Sequence, residues 1–124
     1  SSPARLAYVY TAKYAREGNY GGMLDKMREA FSYNVFREND GDTYFHLFMD
    51  QLSRSTDAAA LQRGIDWIDE EALKTTDLML MSNLMKRKGN LLKAKGDTVA
   101  AEKAFELEKK YKDDWVKVSS RPKH

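Results

Sequence analysis

The sequence predicts an all-α fold of about six helices arranged as antiparallel pairs, and three observations carry that prediction. Apolar residues recur three or four positions apart through most of the 124 residues. The only two prolines, Pro3 and Pro122, lie at the ends, so the interior holds no obligatory helix breaker. Alternating apolar and polar runs bounded by hairpin dipeptides, the mark of strands, are missing.

Taken in order, Ser2-Pro3 supplies a cap and a proline at the first helical position. Leu6, Val9, Tyr10 and Tyr14 then form a helical stripe that Gly18-Asn19 ends. Met23, Leu24, Met27, Ala30, Phe31, Val35 and Phe36 mark a second helix, closed by Glu38-Asn39-Asp40-Gly41. Asp42 or Thr43 is expected to cap a third, with Tyr44, Phe45, Leu47, Phe48 and Leu52 inside it. Ser55-Thr56-Asp57 ends that helix and caps a fourth carrying Ala60, Leu61, Ile65, Trp67 and Ile68. Thr75-Thr76-Asp77 opens a fifth with Leu80, Met81, Leu84, Met85, Leu91 and Leu92. Gly96 suits the left-handed residue after a helix, and Asp97 caps the sixth, which carries Val99, Ala101, Ala104, Phe105 and Leu107. The breaks are short enough to force consecutive helices antiparallel. The resulting expectation is one domain over 1–113, with pairs at 3–39, 42–72 and 75–112, and a polar tail over 114–124 from which Trp115 and Val118 fold back onto the last pair.

Composition narrows the function. An apolar fraction of 42% with 11% aromatic residues is enough for a core. The net charge is only +2 but uneven, since residues 82–124 carry twelve Lys or Arg against six Asp or Glu and the remainder nine against thirteen. A basic half attracts acidic peptides or phosphate, although interspersed acids make a solvated helix surface the plainer reading. Nucleic acid is disfavoured, because no aromatic-and-basic reader pattern accompanies the charge. With no cysteine there are no disulfides, thiolate metal sites or cysteine nucleophiles. No apolar run reaches the roughly 18 residues of a membrane span, no secretory leader is recognisable, and a soluble chain is expected. The opening Ser1-Ser2-Pro3, without methionine, suggests excision or processing from a longer protein. The compartment is not legible.

The breaks at Gly18-Asn19, Ser55-Thr56 and Gly96-Asp97 lie 37 and 41 residues apart. The third pair, SNLMKRKGNLLKAKGDTVAAEKAFELEKKYK, resembles a tetratricopeptide repeat, whose period is about 34 residues. Gly89 stands at the small position of the first helix, Leu92 at the large apolar one, Gly96 at the turn, Ala101 at the small position of the second helix and Phe105 at the following aromatic. Met85 replaces the usual aromatic, Glu108 the usual alanine and Asp113 the usual proline, departures that fit a terminal repeat. The first pair matches at Tyr14, Gly18 and Ala30 but has Thr11 for a small residue, and the middle pair matches loosely at Tyr44, Ala60 and Gly64. The resemblance implies a right-handed α-α superhelix that binds a peptide or partner domain.

Residues 48–112 also resemble the helical region that follows the thioredoxin-like domain in some bacterial, especially Bacteroidetes-type, proteins, through Ala59, Leu61, Trp67 and Ile68. That resemblance implies a non-catalytic attachment to a catalytic domain outside this chain, since no CxxC occurs here. A weak nucleic-acid binder using the basic C-terminal half is the third reading.

No catalytic residue is expected: HExxH, Walker, GxGxxG and GxSxG patterns are all missing. A metal would need His46 with Asp50, which one helical turn places on one face, but a polar helix position beside an aspartate is the simpler account, so neither metal nor cofactor is expected. Asp69-Glu70-Glu71 reads as a solvated turn. Tyr8, Tyr10, Tyr14 and Tyr20 crowd the first hairpin, a residue type enriched at interfaces, although core and rim of a terminal helix is the expected role. In tetratricopeptide domains the first helix of each pair lines a groove, and the resemblance implies that Asn83, Lys86, Asn90 and Lys93 do so here. Lys86 and Asn90 match positions that clamp acidic peptide tails in some members. Arg5, Tyr8 and Arg16 would add the equivalent face of the first helix. A protein or peptide, with acidic character, is therefore the expected partner, and self-association stays open.

Overall fold

A computed structural model describes residues 3–32 and 41–121, apart from the side chains of Pro3, Ala4, Ala7 and Tyr8. Six helices make up these residues: α1 (Pro3–Arg16), α2 (Tyr20–Phe31), α3 (Gly41–Leu52), α4 (Ala58–Ala72), α5 (Leu78–Lys95) and α6 (Thr98–Ser119). The all-α class is as expected, and no strand occurs among the described residues. The expected cap at Ser2, the continuation through Val35 and Phe36 and the break at 38–40 lie outside them.

The helix starts follow from short polar side chains. Asn19 Oδ1 accepts from the Gly22 N–H at 2.9 Å, Asp57 from Ala59 and Ala60, Asp77 from Leu80 at 2.9 Å and Asp97 from Ala100 at 3.2 Å. Ser55 Oγ and Thr75 Oγ1 each accept from the N–H of the aspartate two residues on, so two turns with the same Ser/Thr-x-Asp spelling have the same geometry. Gly96, at φ +93°, ends α5 in the left-handed conformation only glycine adopts cheaply. Two boundaries differ from expectation. The third helix begins at Gly41, with Asp42 inside its first turn. The last does not stop near Lys112 but runs on to Ser119, because nothing between those residues breaks a helix.

Each helix touches the next in sequence and, up to α5, the next but one; among the described helices α6 touches α5 alone. Side-chain pairs give the directions. Asp25 with Arg63 and Arg28 with Glu70 run the same way along α2 and α4. Lys88 with Asp69 and Lys95 with Gln62 run oppositely along α5 and α4.

The core lies where α2, α3, α4 and α5 meet. Phe31, Phe45 and Trp67 form an edge-to-face triad with centroids 5.2–5.6 Å apart. Trp67 is 1% exposed, and the Arg28 guanidinium caps its ring at 4.1 Å. Gly64 lets Leu52 and Leu91 approach the α4 backbone closer than a Cβ would permit. Gly89 does the same for the Phe105 ring of α6. Asp69, Glu70 and Glu71, expected to be a solvated turn, instead pair with Lys88, Arg28 and Lys74.

The stripe expected to bury α1 is a further correction. Of the four, Tyr14 packs against the core as expected, whereas Leu6, Val9 and Tyr10 are exposed and Thr11 and Ala15 face the protein beside Tyr14. Among the described helices α1 touches only α2 and α3, so part of its apolar stripe stays uncovered by them. Val99 and Leu107 stay exposed on α6 for the same reason.

Candidate functional site

A helix of 3.6 residues per turn puts Asn83, Lys86, Asn90 and Lys93 within one broad face of α5. The buried positions Leu84, Met85, Leu91 and Leu92 occupy the other side. Lys86 and Lys93 are exposed, and Asn83 and Asn90 half-buried. The side chains of Lys86, Asn90 and Lys93 make no hydrogen bond or ion pair with any described residue. Asn83 Oδ1 accepts from Arg87 Nη1 at 3.3 Å.

Arg87 was not singled out in the sequence. It is 15% exposed and ties α5 to α3 through Asp50, with Nε to Oδ1 at 3.2 Å and Nη2 to Oδ2 at 3.3 Å. The two partners are 37 residues apart, so no local pattern announces them. His46, one turn before Asp50, has its pKa lowered to about 4, by burial first and by the nearby Arg87 second, with Asp50 opposing. The imidazole is therefore neutral at physiological pH, and its buried Nδ1 has no hydrogen-bond partner among the described residues. Asp50 is engaged by Arg87, and no group of three or more His, Asp or Glu side chains among the described residues is placed to hold a metal.

Two other expected site residues lie two helices away, on α1, with α3 between. Arg5 and Arg16 are exposed on α1, which touches α2 and α3 but not α5. The Tyr8 side chain lies outside the described residues. What converges is a strip on α5, bordered by the Asp50–Arg87 bridge, that presents two ammonium groups and a carboxamide. About 10 Å separates Lys86 from Lys93 along the axis, a reach that suits a carboxylate and its neighbours. No helix among the described residues is long and apolar enough to cross a membrane. Compared with known proteins, the chain matches no family model, no curated protein and no solved structure.

Proposed function

We propose that this chain is a non-catalytic protein-interaction domain of tetratricopeptide-like helix pairs, which holds an acidic or carboxylate-ended peptide across the polar face of α5. One contrast carries the reading. Arg28, Arg63, Arg87, Lys88 and Lys95 all bond to side chains of neighbouring helices. Lys86, Asn90 and Lys93 share a face and have no such partner. Their hydrogen-bonding capacity is left for something outside the described chain. The contacts between helices one and two apart, and the close approach at Gly89, support the repeat packing.

Charge-assisted hydrogen bonds here contribute roughly 1.5–3 kcal/mol each where water is excluded and much less where exposed. The test is anisotropy of a labelled Glu- and Asp-rich peptide with a free C-terminus, measured against wild type and Lys86→Ala/Asn90→Ala. The double variant is expected to bind at least about tenfold more weakly while melting at the wild-type temperature. Equal affinity discards the assignment.

A further inference from the structure

The opposite side of α5 carries a second feature. Because α6 rests on α5 alone, α4 and α6 stand apart, and between them lies a groove of about 370 Å³. Its floor is Ile65, Met85 and Leu92, and Ala104 and Leu107 form one wall. The apolar track does not stop at the groove. On α6, Ala100, Ala104, Leu107, Tyr111, Trp115 and Val118 recur at spacings of four, three, four, four and three, one continuous helical stripe. It spans about 27 Å at 1.5 Å per residue. Leu107, Trp115 and Val118 are 39%, 42% and 54% exposed.

The ionisable side chains lining the groove are three lysines, Lys88, Lys95 and Lys103, and one acid, Asp97. Asp97 is engaged in capping α6. Lys88 and Lys95 lean towards α4 through Asp69 and Gln62, at 2.7 and 2.6 Å, while Lys103 has no partner among the described residues. Asp69 offsets the charge of Lys88, while Lys95, bonded to a neutral amide, and Lys103 keep theirs. An apolar floor beneath these cations is complementary to an apolar stripe flanked by carboxylates. The walls are helices whose backbone groups are already bonded along their own axes, so an added strand would find no main-chain partners. A helix brings its own hydrogen bonds and needs only side-chain contact.

We infer that the α4–α5–α6 groove and the stripe that continues it along α6 are a docking site for an amphipathic helix of a partner protein, with acidic residues flanking its apolar face. The site lies across α5 from the Lys86 face and stands independently of it.

The probe is a synthetic helical peptide of about 18 residues, long enough for the 27 Å track, with leucines on one face and glutamates beside them. A second version carries lysine in place of every glutamate. Binding is read by anisotropy, and its location by methyl NMR of Met85 and Ile65. The glutamate peptide is expected to bind and shift both methyl groups, with the lysine peptide at least about tenfold weaker. Lys103→Glu should cost about tenfold for the glutamate peptide and Leu107→Asp should abolish its binding. Both positions are exposed, so melting temperatures should hold, and the Met85 and Ile65 shifts should persist in Lys86→Ala/Asn90→Ala, because neither of those residues lines the groove. Equal binding of the two peptides, unchanged affinity in Leu107→Asp or shifts confined to other methyl groups would overturn the inference. So would a wild-type dimer in sedimentation that Leu107→Asp dissociates, since the occupant would then be a second copy.

Discussion

Helices α4 and α6 both pack against α5, and they do so in opposite ways. α4 is shorter, yet Ala60, Leu61, Gly64, Ile65, Trp67 and Ile68 are all buried, because α2, α3 and α5 surround it. α6 is the longest helix, and only Ala101 and Ala104 are fully covered. Length therefore says little about how firmly a helix belongs to the domain. The number of neighbours decides it, since hydrophobic stabilisation scales with the apolar area removed from water. The helix with few neighbours is also the one left with surface to offer a partner.

Substitutions in the two helices probe that contrast directly. Trp67→Ala removes the ring that joins Phe31, Phe45 and the Arg28 guanidinium, and should cost about 3–5 kcal/mol of global stability. Urea unfolding followed by far-UV circular dichroism measures it; a loss below that of any α6 variant would break the comparison. Ala101→Leu places a larger side chain where α6 meets α5 and should destabilise by about 1–3 kcal/mol. An unchanged midpoint would mean that α6 can shift away without penalty, making it even less a part of the core. Smallest is Asp97→Ala, which leaves the Ala100 N–H without its cap and should cost about 1 kcal/mol. Hydrogen exchange should place that loss in the first turns of α6, with α4 amides still protected, because α6 touches no other described helix. Equal deprotection of α4 would show that the two helices unfold as one unit.

Much of the fold was legible because its signals are local. Asp57, Asp77, Asp97 and Gly96 cap or end helices through groups within five residues, and their spelling alone predicts the turns. The candidate site was legible only in part. Asn83, Lys86, Asn90 and Lys93 share a face by helical periodicity. Arg5 and Arg16 are parted from it by α3, and Arg87, which borders it, could not be anticipated from a partner 37 residues away.

The sequence by itself determined that the chain is helical, where most helices begin and end, and which residues share a side of each. Backbone hydrogen bonds four residues apart and capping side chains act at that range, so neighbours in sequence suffice. Tertiary structure alone decided which of those sides are covered. Leu6, Val9 and Leu107 have the same apolar spacing as Leu61 and Ile65, yet only the latter two are buried. It also decided that Asp69 and Glu70 meet cations of other helices, that Asp50 holds Arg87, and that α4 and α6 stand apart over α5. Burial and ion pairing depend on what other helices bring from tens of residues away, and periodicity carries no record of that.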